Sequence, residues 1–267
     1  MDIQFIKTSP TQNVTILVLT QVPRASQPEI AAQLLRYDGV GGEQVGFLEP
    51  SQTARVQLQM MGGEFCGNAS MATGAYLAWR DGLPYGASAE YPLEVSGADG
   101  IVIVGIARTG KSYRGRVQMP GAERIERLNL NTDSGNLAVD AVVLPGITHL
   151  IFEKSAGMTL EEIERRIRDW NAVARADALG ALLYDEEALA IEPVVDVPGP
   201  NTIVRERGCG SGTAAIGCRN ALRTGAFSGT IRQPGGEIAV HAEHSGGRFT
   251  VQIEGYVTIT ASGTAYL

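Results

Sequence analysis

The segment "GGEFCGNASMATGAYLAW", residues 62–79, places an isolated cysteine in front of a run of small residues. A second segment, "CGSGTAAIGC" at residues 209–218, matches "CGNASMATGA" at residues 66–75 in four of ten places: Cys, Gly, Ala and Gly. The second copy begins a little more than half the chain length after the first, and each copy follows a strand-rich stretch. This pattern predicts a twofold internal repeat.

Small residues occupy every face of the helix that should follow Cys66. Such a helix has low intrinsic propensity, since Gly74 and Gly217 each cost about 1 kcal/mol relative to alanine, so packing must stabilise it. Close approach of backbone from several sides is what a helix threaded through a curved sheet requires. We therefore predict an α+β fold with two pseudo-symmetric lobes, residues 1–118 and 119–257, joined near "VQMPGAERIE" without a flexible linker.

A third helix is predicted over "TLEEIERRIRDWNAV" from Thr159. Thr159 and Glu162 have the spacing of a capping box, and apolar residues recur at helical spacing behind them. We interpret that apolar stripe as ordinary core.

Composition excludes several classes of function. The 267 residues carry a net charge of −7 and no basic cluster, which argues against a nucleic-acid or anionic-membrane partner. The N-terminus has no apolar signal core, and no run of about 18 apolar residues occurs, so we expect a cytoplasmic protein. Three cysteines without a Cys-x-x-Cys pair indicate neither a disulfide framework nor a structural zinc site.

A thiol at a helix start lies near unpaired backbone N–H groups, which favour the thiolate and lower its pKa. The same N–H groups, behind "CGN" and "CGSG", suit a carboxylate. We expect an amino-acid carboxylate to dock where both thiols reach the α-carbon, so that one sulfur removes the α-proton and the other returns a proton to the opposite face. That chemistry is racemisation or epimerisation without a cofactor.

Other interpretations stay open at this point. Cys66 and Cys209 would be buried small hydrophobes in a structural alternative, as we expect for Cys218, which has no counterpart. A metal site from both cysteines and His149 has no supporting ligand spacing. "GSGTAA" fits a weak dinucleotide-binding fingerprint, but the first copy lacks it, which argues against a nucleotide site. None of the few lysines lies in a glycine-rich anion site, which argues against pyridoxal phosphate (PLP).

At these residues the chain resembles the cofactor-independent diaminopimelate epimerase superfamily. The resemblance spans the chain and rests on ordered segments: "GVGGEQVGFLE", "FCGNAS", "PGITHLIF", "RERGCGSGT", "QPGG" and "TASGTAYL". It implies two lobes, each a curved, mostly antiparallel sheet or barrel around a central helix that supplies one catalytic cysteine. It also implies that the last strand, about residues 258–267, returns to the first lobe.

The resemblance implies roles for single residues. Cys66 and Cys209 match the acid/base cysteines, while Asn13 and Gln44 match polar groups of the substrate pocket, with Glu43 a weaker candidate. Backbone at the two helix starts would hold the substrate carboxylate, and two further side chains would orient the amine and support the thiols. The helix-start residues are Gly67, Asn68, Gly210 and Ser211, and the further side chains are His149 and Glu206.

Departures from the diaminopimelate enzymes narrow the expected activity. "RERG" runs directly into "CGSG", "QMMGGEF" is shortened before Cys66, and the Asn that grips the distal end of diaminopimelate has no clear match. The chain is most similar to the histidine racemases of staphylopine-type metallophore biosynthesis. This resemblance implies histidine as substrate, no cofactor or metal, and a homodimer. The alternatives are a racemase or epimerase of another amino acid, such as diaminopimelate, and a non-catalytic amino-acid-binding or metal-binding protein.

Overall fold

Two segments of the chain, Met1–Gln118 and Glu254–Leu267, form the first of two structural units, and Met119–Ile253 forms the second. The computed structural model describes residues 1–197 and 202–267. The last strand, β16 (Arg248–Tyr266), begins in the second unit and ends in the first.

The first unit is a closed sheet with two α-helices. Its strands follow one another in the order of the chain, and β16 lies between β7 and β1. Its elements are β1 (Asp2–Pro10), β2 (Thr15–Val18), α1 (Gln27–Leu35), β3 (Gln44–Glu49), β4 (Val56–Met60), α2 (Gly67–Arg80), β5 (Ser88–Val95), β6 (Ile101–Thr109) and β7 (Ser112–Met119).

In its described residues, 119–197 and 202–253, the second unit is also a sheet with two α-helices. Its strand order is β8-β9-β10-β11-β12-β14-β15-β16, and β13 pairs with β12. Its elements are β8 (Arg124–Thr132), β9 (Gly135–Leu144), β10 (Ile147–Glu153), α3 (Leu160–Ala174), β11 (Leu179–Asp185), β12 (Ala190–Val197), β13 (Thr202–Arg205), α4 (Gly210–Thr224), β14 (Ala226–Gln233) and β15 (Gly236–Ser245).

Both units contain the same succession of strand pairings. In the first, β2 and β3 pair in parallel across α1, and β4 and β5 pair in parallel across α2. In the second, β10 and β11 pair in parallel across α3, and β12 and β14 across α4. Parallel pairs need a crossover, and these helices supply it. Most of the other pairings are antiparallel, among them β1–β2, β5–β6, β8–β9 and β14–β15. The predicted α+β fold of two similar, mostly antiparallel sheets is confirmed.

The small-residue helices are central in their units, as the sequence predicts. Every residue from Gly67 to Ala78 is buried, and α2 packs against β1, β2, β5 and β6. Every residue from Gly212 to Ala221 is buried, and α4 packs against the corresponding strands β9, β10, β14 and β15.

A glycine brings each helix close to its sheet. A Cβ at Gly74 would lie 2.8 Å from Cγ1 of Val104, and one at Gly217 would lie 2.7 Å from Cγ2 of Val240. Both distances are shorter than van der Waals contact, so the glycines are needed for packing.

The predicted capping box of α3 is half formed. Thr159 is the N-cap, and its Oγ1 accepts a hydrogen bond from the Glu162 backbone N–H at 3.2 Å. The Glu162 carboxylate accepts a bond from the backbone N–H of Asp133 at 2.6 Å, which ties α3 to the turn after β8. The stripe is core as expected, with Trp170 packed on Phe152 at a ring separation of 4.8 Å.

Gly74→Ala should lower the free energy of unfolding by about 1–3 kcal/mol, because overpacking against Val104 outweighs the gain in helix propensity. Urea unfolding of both proteins measures the difference. Combining the change with Val104→Ala should recover part of the loss, since the two sites are in contact. A Gly74→Ala protein that is more stable by about 1 kcal/mol would show that propensity dominates.

Candidate active site

Cys66 is the N-cap of α2. Its backbone is extended, with φ −131° and ψ 111°, and its Sγ accepts a hydrogen bond from the Ala69 backbone N–H at 3.4 Å. Its carbonyl accepts the Ser70 N–H at 2.9 Å and the Ser70 hydroxyl at 2.8 Å. The sulfur therefore takes the place that a serine or aspartate oxygen usually has at a helix start.

Cys209 caps α4 with the same construction. Its Sγ accepts the Gly212 N–H at 3.2 Å, and its carbonyl accepts the Thr213 N–H at 3.1 Å and hydroxyl at 2.8 Å. In both caps the sulfur accepts a hydrogen bond from the residue three positions after the cysteine, and the cysteine carbonyl accepts from the residue four positions after it. The repeat seen in the sequence is thus also a repeat of geometry.

The last residue of β14, Gln233, holds Cys209 through its side chain, a contact not predicted from the sequence. Gln233 Oε1 accepts the Cys209 N–H at 2.6 Å, and its Nε2 donates to Thr213 Oγ1 at 2.7 Å and to the Cys209 carbonyl at 3.4 Å. Gln233 belongs to the "QPGG" segment, which was noted only as part of a resemblance. Its position at a strand end facing the helix start could not be read from spacing.

The turn after β5 supports the chain in front of Cys66. Ser96 Oγ donates to the Glu64 carbonyl at 2.9 Å and accepts the Met60 N–H at 3.0 Å. A Cβ at Gly97, whose φ is +72°, would lie 2.4 Å from the Phe65 nitrogen. Corresponding β-hairpins, β5–β6 and β14–β15, therefore brace the two cysteines with different side chains.

Three predicted site residues cluster beside Cys66. The Cys66 Sγ donates to Gln44 Oε1 at 3.2 Å, and Gln44 Nε2 donates to Asn13 Oδ1. Asn13 Nδ2 in turn donates to Glu43 Oε2 at 2.8 Å. Glu43, the weaker candidate, is thus in direct contact with the cluster, which connects a carboxylate to the thiol through two amides.

The predicted helix-start residues lie directly behind the two thiols. Gly67 and Asn68 are the first two residues of α2, and Gly210 and Ser211 are the first two of α4. All except Ser211 are buried. These positions have backbone N–H groups outside the regular helical ladder, as an anion site requires.

His149 reaches Cys209 through Ser211. The fully buried His149 ring has Nε2 2.9 Å from Ser211 Oγ, which lies 3.5 Å from the Cys209 Sγ. Burial lowers the pKa of His149 to about 3, so the ring is neutral. Its Nδ1 has no hydrogen-bond partner among residues 1–197 and 202–267, so placing the hydrogen on Nε2 leaves no buried N–H without an acceptor.

Gly180 makes room for that histidine. It pairs with His149 across the parallel strands β10 and β11, and a Cβ at this position would lie 2.1 Å from the His149 Nδ1. Gly180 could not be predicted from the sequence, because the need for a glycine arises from a neighbour in the sheet that is distant along the chain.

The pKa of Cys209 contradicts the expectation that a helix start lowers it. Burial raises the pKa of this thiol well above its usual value, and the neighbouring Glu206 carboxylate adds to the rise. Hydrogen bonds from Ser211 and Gly212 oppose the rise but are smaller. Desolvation outweighs the helix dipole here, because only 3% of Cys209 is exposed.

The third cysteine lies away from both clusters of polar residues. Cys218 is fully buried on α4, and burial raises its pKa to about 11. No group of three His, Cys, Asp or Glu residues within the described ranges is arranged to hold a metal ion. None of the helices described is long and apolar enough to cross a membrane.

Comparison with known proteins decides the family. A family described as the N-terminal domain of the histidine racemase CntK matches residues 2–266. The chain belongs to this family. A histidine racemase of Staphylococcus aureus is 31% identical over 274 residues, covering 99% of this chain and 98% of that protein. One from Fusobacterium nucleatum is 29% identical and covers 99% of this chain and 97% of its own length.

Solved structures show the same fold as this CntK-family chain at low sequence identity. A probable proline racemase from Agrobacterium radiobacter superposes with a TM-score of 0.75 at 14% identity, covering 99% of this chain and 93% of that one. A hydroxyproline epimerase from Agrobacterium vitis gives 0.73 at 15% identity, covering 100% and 93%.

Gly180→Ala in this CntK-family chain should lower the free energy of unfolding by about 1–3 kcal/mol or more, since the added methyl overlaps the His149 ring. Denaturant titration measures the change. In a His149→Ala background the ring is absent, and the same substitution should cost much less. An equal cost in both backgrounds would show that the ring is not what excludes the methyl group.

Glu206→Gln should make Cys209 react at lower pH, because it removes the negative charge that adds to the raised pKa of the thiol. The measurement is the rate of Cys209 alkylation by iodoacetamide against pH, followed by mass spectrometry. Glu187→Gln, which neutralises an exposed carboxylate elsewhere in the second unit, serves as the control. Equal profiles for the two variants would contradict the assigned cause.

Proposed function

We propose that this chain is a PLP-independent histidine racemase that exchanges the α-proton through Cys66 and Cys209. The observation that carries the proposal is the duplicated cap, in which each sulfur occupies the start of a buried helix with the same hydrogen bonds. A family named for histidine racemase matches the chain over residues 2–266, which supports the choice of substrate.

The proposed reaction balances on the two sulfurs. A thiolate removes the α-proton of histidine and becomes a thiol, while the other thiol delivers its proton to the opposite face and becomes a thiolate. The reverse reaction uses the sulfurs in exchanged roles. No cofactor has to store electrons, because the charge that develops at the α-carbon spreads into the substrate carboxylate.

We assign the helix starts to the carboxylate. The backbone N–H groups of Gly67 and Asn68, and those of Gly210 and Ser211, are preorganised donors next to each sulfur. Negative charge grows on the carboxylate as the α-proton leaves, so these donors stabilise the transition state more than the bound amino acid.

Differences in burial suggest different roles for the other candidate side chains. Glu206 is half-buried beside Cys209, and we assign it to the substrate ammonium group. His149 is fully buried behind Ser211, which favours support of the Cys209 thiol over contact with the substrate. We assign Asn13 and Gln44, which lie at Cys66, to the group of side chains that would contact the substrate beside that thiol.

The test is incubation with single L-amino acids in D2O. L-histidine should be converted to a mixture of both enantiomers with deuterium at the α-carbon, measured by chiral chromatography and mass spectrometry. Cys66→Ser and Cys209→Ser should each reduce the rate about a hundredfold or more, because each removes an acid/base group. Cys218→Ala, which changes a buried cysteine away from both clusters, should retain activity.

The remaining outcomes separate the alternatives. Inversion of diaminopimelate or another amino acid with inert histidine would keep the two-thiol chemistry and overturn the substrate. Binding of histidine without α-deuteration would indicate a non-catalytic binding protein. Full activity in either cysteine variant would overturn the assignment of the sulfurs.

A further inference from the structure

The hydrogen-bond chain at Cys66 begins at a group that can only accept. The Glu43 carboxylate has no donor hydrogen when ionised, so the Asn13 side chain must present Nδ2 to it, at 2.8 Å. The amide orientation of Asn13 is thereby fixed, and its Oδ1 points the other way as an acceptor.

Gln44 is oriented by two acceptors. One N–H of Nε2 donates to the Asn13 Oδ1 and the other to Thr15 Oγ1 at 2.9 Å. The Thr15 hydroxyl hydrogen is directed to the Asn13 backbone carbonyl at 3.2 Å, so its oxygen is available to accept. Rotating the Gln44 amide by half a turn would lose both of its donor contacts.

The hydrogen-bond chain ends with an acceptor atom next to the Cys66 sulfur. Gln44 Oε1 lies 3.2 Å from the Cys66 Sγ, and a carbonyl oxygen accepts a bond from a thiol but repels a thiolate. Asn13 and Thr15 are both buried, so water does not readily replace these contacts.

We propose that Glu43 is a positioning residue for Cys66, because its carboxylate, acting through Asn13 and Gln44, directs an acceptor at the sulfur and holds Cys66 as the proton-bearing thiol. This inference rests on the proposed function and extends it. In the proposed reaction, Cys66 donates a proton before it accepts one. To remove a proton from the substrate, Cys66 has to ionise against the Gln44 carbonyl or the amide chain has to reverse.

The experiment measures Cys66 alone, in the full chain carrying Cys209→Ser and Cys218→Ala. Alkylation by iodoacetamide is followed over a range of pH. Glu43→Gln keeps the shape of the side chain, but its amide can present either a donor or an acceptor to Asn13. The chain of hydrogen bonds then no longer has a fixed direction, and Gln44 can turn its Nε2 toward the Cys66 sulfur. The midpoint of the profile should move to lower pH, with alkylation at pH 7 on the order of threefold faster.

Two further variants distinguish an effect of the hydrogen-bond direction from an effect of the Glu43 charge alone. Asn13→Ala leaves the Glu43 carboxylate in place and breaks the connection, so it should accelerate alkylation as Glu43→Gln does. In a Gln44→Met background no amide remains to reverse, and Glu43→Gln should then have no effect. Circular dichroism establishes that each variant is folded, and the Gln44→Met comparison does not depend on the Asn13 variant.

The proposal is overturned if Glu43→Gln leaves the profile unchanged, if Asn13→Ala leaves it unchanged while Glu43→Gln shifts it, or if the shift persists in the Gln44→Met background. None of these readouts involves a substrate. A chain that fails to racemise histidine can still show the predicted thiol chemistry, so the two failures are distinguishable.

Discussion

The capping of each helix by a cysteine sulfur is the constraint on which the rest of the site depends. Sulfur is a weak hydrogen-bond acceptor, so the cap alone would hold the helix start loosely. Ser70 and Thr213 anchor the cysteine carbonyls, and the glycines at Gly74 and Gly217 allow each helix to lie against its sheet. The position of each sulfur therefore depends on packing well away from it, and a small shift of either helix would move the sulfur.

The surroundings of the two sulfurs are not equivalent, although their backbones are. Burial and Glu206 disfavour ionisation of Cys209, while Ser211 and Gly212 offer it donors. At Cys66 a directed pair of amides offers an acceptor. Burial thus opposes the thiolate at Cys209, and we propose that the Gln44 carbonyl opposes it at Cys66. In the proposed reaction one of the two thiols must lose a proton first, and the side chains around each sulfur influence which one does.

Sequence predicted the features that depend on local pattern and failed where distant residues meet. The duplicated "CG" helix starts, the small-residue faces and the α3 stripe all follow from residue type and period, and the structure has them. Gln233 and Gly180 were missed, because their roles come from strands that bring them to Cys209 and His149. The pKa of Cys209 was predicted in the wrong direction, since the dipole of a helix can be read from sequence but burial cannot.

The last strand affects how the chain folds during synthesis. In the first unit the end of β16 lies between β7 and β1, so both of these strands are open edges until residues 254–267 have been synthesised. The residues of the second unit, 119–253, are all synthesised before that final segment. An open edge strand is a site for mispairing with other chains, so the newly made first unit is exposed to that hazard while residues 119–253 are being synthesised. The unit that is translated first is completed last.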